Sequence, residues 1–543
     1  MIKPSSVIRL LHWIFLGCVI GLIIFVRIRI LATPLERDEG EYAYMGQLLL
    51  QGVPPFTEAF NMKLPGTSLM YALFMLLFGQ NVSAIHLGLM LINIASACFT
   101  FIIAKKITDV NSAIVSTISF TLLSLSPLFL GFAAHATHFV IFFILGGIAI
   151  ILSALELKRG IRVFFSGILF GCAFLMKQPG IFFLFFGISM LGILGPKQDL
   201  SRKQLFKYGV NLFCGFLIPV VIVLLVIYFM GAFDRFWFWV VQYALYYGSD
   251  ISLGQGMLKM SRMLILFWKG LAIFCIFVAI GSFLLMTEKV NIIRKNFLLS
   301  FLLFSFLSLL PGLQFRYHYF ILILPACAFF IGSGYHVAQR IFERTPKWHF
   351  VPMLIFAVAV GENVFANTAY YYTMSPTDIV RKYYSVNHFA ESIPISEYIV
   401  KHTKPDERIA VVGSEPQIFF YTKRRSVSGH IYMYGMMEPQ PFARRMQEEF
   451  IADVERAKPN YLVFFGIPCS WGDDLKSDYH IFAWKNNYTS KFYNLVSVID
   501  LLDINKILYV WGEDARKYST VSQNSIFIYE RIKMNRTVTM LNE

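Results

Sequence analysis

Continuous apolar stretches of membrane-spanning length recur along this chain from residue 7 to residue 367, and no other feature limits its fold so severely. A lipid core roughly 30 Å thick asks for about 20 apolar residues per helix. Within it every backbone N–H and C=O must find a partner, so only helices or a closed barrel can cross. These runs are continuous and do not alternate, which excludes a barrel. Composition agrees, with 57% hydrophobic and 15% charged residues, where soluble domains run near a quarter charged. Spans are expected at residues 8–31, 82–104, 112–131, 139–157, 161–177, 180–195, 208–230, 264–286, 297–313, 319–338 and 350–367, about eleven in all. The first run resembles a signal peptide in its basic start, but it is long and ends at Arg27 and Arg29 without a small-residue cleavage site, so it reads as a retained span.

A net charge of +15 would suggest nucleic acid in a soluble protein. Here much of the excess lies in short loops: Lys105/Lys106, Lys158/Arg159/Arg162, Lys197/Arg202/Lys203/Lys207, Lys289/Arg294/Lys295 and Arg340/Arg344/Lys347. With a cytoplasmic N-terminus every one of these clusters falls inside, as the positive-inside rule requires. The outer side then receives residues 32–81, the His135 turn, the Lys177 turn, residues 231–262, the Arg316 segment and the C-terminal tail. Within residues 32–81, Gly40 to Leu50 is amphipathic, while Thr67 to Phe78 is too short for a span and reads as an interfacial or re-entrant helix. Arg27 and Arg29, at the outer end of the first span, read as snorkelling cations. Six of the seven cysteines fall in apolar spans and only Cys469 lies outside, so there is neither a disulfide framework nor metal-type spacing.

From about Ser375 proline and charge return. Strand-like runs at Arg408–Gly413, Tyr461–Phe465, Ile507–Trp511 and Ser525–Glu530 alternate with helical ones at Ile395–His402 and Pro441–Lys458. The expected fold is therefore a polytopic α-helical membrane protein, residues 1–374 with a long first outer loop at 32–81, followed by an extracytoplasmic soluble α/β domain at 375–543. No Walker loop, GxGxxG, GxSxG or HExxH occurs.

The residues suited to chemistry lie in the outer loops. Leu35-Glu36-Arg37-Asp38-Glu39-Gly40-Glu41-Tyr42 carries four acids within six residues at the end of a membrane helix. Carboxylates there can act as a general base or hold a divalent cation, or simply cap the Gly40 helix. Lys63, in Asn61-Met62-Lys63-Leu64-Pro65-Gly66-Thr67, offers a point charge for phosphate, or snorkels. Arg316 and His318, in Gln314-Phe315-Arg316-Tyr317-His318-Tyr319, suit a phosphate or a sugar hydroxyl at a helix mouth, against an aromatic-belt alternative. His135 and His138 share a helix face at i and i+3, a spacing that can hold a metal but for which hydrogen bonding in the outer cavity is the preferred reading. His86, within the second span, reads as a structural histidine, and Lys177 lies in a Lys177-Gln178-Pro179-Gly180 turn at the outer face.

A first span, an outer Asp38-Glu39 motif on a helix bearing aromatic Tyr42, and a Lys63-Leu64-Pro65-Gly66 turn together resemble the GT-C class of membrane glycosyltransferases. Within it, the chain resembles the glycosyltransferase family 39 group of bacterial protein O-mannosyltransferase relatives and the lipid A aminoarabinose transferases. The resemblance covers the membrane part. It implies that Asp38, with Glu39 as its neighbour, is the catalytic base or sits beside it, that Lys63 binds donor phosphate, and that Arg316, His318 and Lys177 contact the donor; His135, His138 and Tyr42 are further substrate-binding candidates. The aminoarabinose branch typically has Glu-Lys-Pro-Pro where this chain has Lys63-Leu64-Pro65-Gly66, so the acid before the lysine is missing.

The implied function is transfer of a hexosyl or pentosyl group from a polyprenyl-phosphate donor to a lipid, glycan or protein acceptor, at the outer face of a bacterial inner membrane. The partners are donor, acceptor and membrane lipids, without nucleic acid. A divalent cation, Mg, Mn or Zn, is the one cofactor to consider, with no metal ligands assigned. Two alternatives belong to other classes: a flippase or transporter of lipid-linked sugars, and a non-catalytic polyprenyl-lipid-binding protein. Transporters concentrate polar residues at the bilayer midplane, often with internal repeats, whereas here they crowd the outer loops and no repeat is visible.

Overall fold

A computed structural model describes residues 4–249, 251–287, 292–343 and 348–533; Lys289, Arg344 and Lys347 of the basic clusters lie outside the described residues. The chain forms two compact units, Met1–Thr33 with Met62–Pro376, and Pro34–Asn61 with Thr377–Glu543.

The first unit is helical. Seven of its described helices are long and apolar enough to cross a membrane: Arg9–Arg29, Val82–Ile107, Ala136–Glu156, Gln178–Gln198, Arg202–Phe229, Leu253–Met286 and Tyr317–Phe342. Shorter apolar helices cover Gly66–Phe78, Val110–Leu125, Gly160–Met176 and Val351–Ala366. The helices used below are α1 (Pro4–Arg29), α2 (Arg37–Leu50, in the second unit), α3 (Gly66–Phe78), α4 (Val82–Ile107), α5 (Val110–Leu125), α6 (Ala136–Glu156), α7 (Gly160–Met176), α8 (Ile181–Leu194) and α9 (Arg202–Phe229).

Local chemistry sets the helix ends. Asn81 caps α4 by accepting from Ala84 N at 2.9 Å, and Lys105 and Lys106 occupy its last turn, where cations favour the helix dipole. Asp109 caps α5 through Asn111 N and Ser112 N and also pairs with His336. Packing inside the bundle depends on missing side chains. A Cβ on Gly167 of α7 would lie 2.1 Å from the Leu212 carbonyl oxygen of α9, and one on Gly215 of α9 would lie 2.0 Å from the Phe164 carbonyl oxygen. The two backbones therefore touch, the close approach that small residues permit in membranes.

One segment gains detail, and one expectation changes, that for Arg27 and Arg29. Residues 231–262 are mostly helical, with Phe233–Trp237, a π-turn at Phe238–Tyr243, Ala244–Ser249 and the start of Leu253–Thr287, and the last of these is kinked at Leu271. Their dense aromatic residues bury part of the first two short helices, as Phe236, Trp239 and Tyr243 do. Arg27 and Arg29 do not snorkel: Arg27 is buried, and Arg29 donates to the carbonyls of Tyr370, Tyr371 and Met374. Those carbonyls end the helical turn Ala369–Thr373, so Arg29 acts as its C-terminal cap.

The second unit holds a five-stranded sheet of order β1-β2-β5-β3-β4, built from β1 (Ala410–Val412), β2 (Tyr461–Gly466), β3 (Tyr493–Asp503), β4 (Lys506–Trp511) and β5 (Ser525–Arg531). β1 and β2 are parallel and the other pairs antiparallel. Helices Ser392–His402, Ala443–Ala457 and His480–Phe492 accompany it. α2 belongs to this unit, where Tyr44 packs on Phe419 with ring centroids 5.0 Å apart.

Candidate functional site

In the helical unit, three turns and a helix start bring basic side chains to one place. Gly66 begins α3, and a Cβ there would lie 2.4 Å from the Leu175 carbonyl oxygen near the end of α7. Thr67 Oγ1 donates to the Met176 carbonyl at 2.9 Å, and Gln178 Nε2 donates to the Met62 carbonyl at 2.9 Å. These bonds stitch the Lys63 turn to the Lys177 turn. Tyr71 Oη on α3 donates to the Ala134 carbonyl at 2.8 Å, which fixes the turn carrying His135 at the start of α6.

The fourth segment arrives through a strained turn. Gly312, Leu313 and Phe315 all have positive φ, +72°, +49° and +43°, and the left-handed region costs an L-residue about 1–2 kcal/mol. Arg316 follows in extended conformation and starts the 3₁₀ turn Tyr317–Ile323. Strain of this kind collects at functional sites.

The result is a cationic cluster. His318 stacks on His135 with ring centroids 4.0 Å apart and planes at 12°. Lys177, Arg316 and Lys63 lie close enough to act electrostatically on the His318 ring. Lys177 Nζ rests 3.4 Å from the centroid of Tyr319, and Arg316 Nη2 reaches Tyr247 Oη at 3.5 Å. His135 thus stacks on His318. His138 lies in the first turn of α6, fully buried, within electrostatic reach of Arg27 and His135. His86 is structural in its contact, its Nδ1 lying 2.9 Å from the Leu31 carbonyl.

Asp38, Glu39 and Tyr42 lie on α2 of the other unit. Glu36 caps that helix, accepting from Glu39 N at 3.0 Å, while Glu39 Oε2 accepts from Glu36 N at 3.4 Å, a reciprocal capping box. Burial, and then the negative charges of Asp38 and Glu39, hold the Glu36 carboxyl well above the usual range. Asp38 is half-buried, and Glu39 and Tyr42 are buried. Sequence reading passed over two residues here. Glu36 carried a signal in its three-residue spacing to Glu39. Arg37 carried one as well, because a cation at a helix start opposes the dipole and needs another reason to be there.

The architecture has clear counterparts among solved structures. The chain superposes on ArnT from Cupriavidus metallidurans bound to undecaprenyl phosphate with a TM-score of 0.53 and 11% identity, covering 95% of this chain and 97% of that one. It also superposes on the Archaeoglobus fulgidus oligosaccharyltransferase tethered with an acceptor peptide containing the NVT sequon, with a TM-score of 0.52 and 11% identity, over 92% and 74% of the respective chains. The same oligosaccharyltransferase in complex with Zn and sulfate matches at 0.52 and 12% identity, over 91% and 72%. At such identities it is the fold that is shared, and this chain has the GT-C fold of multi-pass membrane glycosyltransferases. No curated protein matches it in sequence. Residues 62–230 match the family model described as dolichyl-phosphate-mannose-protein mannosyltransferase, a stretch that includes Lys63, His135 and Lys177.

Proposed function

We propose that this protein transfers a sugar, hexosyl or pentosyl, from a polyprenyl-phosphate donor to a lipid, glycan or protein acceptor at the outer face of a bacterial plasma membrane, with its N-terminus cytoplasmic and the α/β domain outside. The observation that carries this reading is the gathering of Lys63, Lys177 and Arg316 around His318 from three separate turns. A polyprenyl phosphate keeps its tail in lipid and its phosphate at the interface, where such charges neutralise it.

In the proposed reaction, an acceptor hydroxyl or amine attacks the anomeric carbon while Asp38 takes its proton. The bond from that carbon to the phosphate oxygen breaks, and polyprenyl phosphate leaves with the electron pair, stabilised by Lys63, Lys177 and Arg316. A single displacement inverts the anomeric centre. Glu39, held by the capping box, places a second carboxyl group next to Asp38 in the chain. The face-to-face His135 and His318 rings supply imidazole nitrogens of the kind zinc accepts. A divalent cation there would add positive charge toward the leaving phosphate.

The test is sugar transfer by the purified chain in lipid nanodiscs, with radiolabelled undecaprenyl-phosphate sugars as donors and a membrane extract as acceptor. Transfer abolished by Asp38→Asn while undecaprenyl phosphate still binds is the expected result. Carrier movement across the bilayer without transfer, unchanged in Asp38→Asn, would replace this reading with a flippase.

A further inference from the structure

Arg37 is the first residue of α2, where the unpaired N–H groups favour acids, yet its side chain is only 7% exposed. The guanidinium is turned away from the helix start into the α/β domain. Nε donates to the Ser414 carbonyl at 2.6 Å, Nη1 to Tyr434 Oη at 2.7 Å and to Asn387 Oδ1 at 3.3 Å, and Nη2 to Glu415 Oε1 at 3.0 Å. The rings of Phe389 and Tyr434 lie 5.2 Å from its central carbon and that of Tyr432 lies 5.9 Å away. Glu415 is fixed in turn, its Oε2 accepting from Ser470 Oγ at 2.7 Å, and Ser470 Oγ accepts from Ser414 N at 2.8 Å.

Adhesion alone does not call for such a pair, because apolar side chains of similar volume hold two surfaces together as well or better. A planar fork with several fixed partners supplies direction. Three further contacts act on this helix and the residues leading into it. A Cβ on Gly40 would lie 2.6 Å from Gln417 N, Leu35 N donates to Tyr421 Oη at 2.8 Å, and Tyr44 Oη accepts from Ser426 N at 2.9 Å. Asp38 lies between Arg37 and Gly40, in the turn of α2 that these two contacts hold.

We propose that Arg37, through Glu415, is a positioning residue for Asp38, and that the α/β domain serves as the mount of the base. The inference rests on the reading of Asp38 given above. A carboxylate on a helix surface sits about 5–6 Å from the axis, so a helix rotation of about 15° displaces it by about 1.4 Å. Misplacement on that scale costs a reaction about a hundredfold. The buried fork blocks this rotation, and a lysine, with a point charge and no fixed plane, would not.

The experiment uses the full chain in nanodiscs, with undecaprenyl-phosphate-linked mannose, glucose and arabinose offered as a donor panel. Wild type is compared with Arg37→Lys, Arg37→Met, Glu415→Gln and Asp38→Asn. Arg37→Lys and Arg37→Met are expected to lower kcat about a hundredfold while the donor KM and the affinity for undecaprenyl phosphate stay within about twofold. The paired replacement Arg37→Met/Glu415→Met, which leaves no buried charge unpaired, is expected to keep the melting temperature, which separates positioning from unfolding, and to speed amide exchange in α2. Guanidinium added to Arg37→Ala should restore part of the lost rate. Full kcat in Arg37→Met with unchanged α2 exchange would overturn the inference, as would a loss that appears only in KM. If Asp38→Asn retains full activity, the base assignment fails whatever Arg37 does. If Asp38→Asn is inactive and Arg37→Met is not, the positioning role alone fails. Should no donor be turned over, α2 exchange in Arg37→Met against wild type still decides whether the fork holds the helix.

Discussion

A lysine at the end of a membrane helix usually stretches toward the headgroups, and Lys177 instead folds its ammonium over the Tyr319 ring in company with His318. If Lys63 and Lys177 hold a phosphate, each supplies a charge-assisted contact of about 1.5–3 kcal/mol. Lys63→Ala and Lys177→Ala are therefore each expected to weaken undecaprenyl phosphate binding by about 10- to 100-fold, measured by titration in nanodiscs, with the melting temperature little changed. Both lysines could be picked out in the sequence because each sits in a polar Pro-Gly turn between apolar runs. Their meeting could not, since it depends on Thr67 and Gln178 bonding to carbonyls of the other turn. In the α/β domain, Lys485 is buried with Nζ 3.9 Å from the centroid of Phe464, and burial lowers its pKa to about 8. Between that value and the ordinary 10.5 the unfolded chain binds more protons than the folded one, so stability rises with pH across this window. Lys485→Met is expected to raise stability by about 1–3 kcal/mol at pH 7 and to lose that advantage above the window, read as melting temperature against pH.

At the scale of elements, the spans follow from hydropathy, while their contacts follow from which residues are missing a side chain. Gly167 and Gly215 allow α7 and α9 to touch backbone to backbone. Gly215→Val is expected to destabilise the bundle by about 1–3 kcal/mol, measured by thermal unfolding in detergent, with the α/β domain unaffected. α3 is 13 residues long, about 20 Å at 1.5 Å per residue, too short to span, as its short apolar run implied. In the α/β domain the strands at Tyr461–Gly466, Lys506–Trp511 and Ser525–Arg531 were legible from their apolar patterning. The longest strand, β3, was not. Its pairing with β5 slips between Leu495 and Ser497, which breaks the alternation, and it buries Asp500, whose carboxylate accepts from Tyr518 Oη at 2.8 Å and Val521 N at 2.7 Å. An acid in a strand reads as a loop until those donors are known.

On the scale of the whole molecule, chain order and spatial order part company. Pro34–Asn61 precedes every helix of the bundle except the first, yet it folds with Thr377–Glu543. Glu58 pairs with Arg408 at 2.9 Å and with Arg425 at 3.3 Å, and Phe60 N donates to the Gly429 carbonyl at 2.7 Å. Amide exchange should accordingly show α2 opening together with the sheet of its own unit, and independent fraying of α2 would contradict that. For the metal, EDTA is expected to lower transfer about tenfold, with zinc restoring it. Metal analysis of the purified chain should show content that falls in His135→Ala and His318→Ala, whereas undiminished activity in EDTA would remove the cation from the mechanism. The sequence by itself determined the membrane class, the helical character of the spans, the α/β tail and the identity of the basic and acidic turns. Those follow from hydropathy and from what charge costs in lipid, which are properties of short stretches of chain. Only the tertiary structure decided that three distant turns gather Lys63, Lys177 and Arg316 around His318, and that the acidic helix is built into the C-terminal domain through Arg37 and Glu415. Such pairings join residues hundreds of positions apart, and they depend on close backbone approaches that no local pattern encodes.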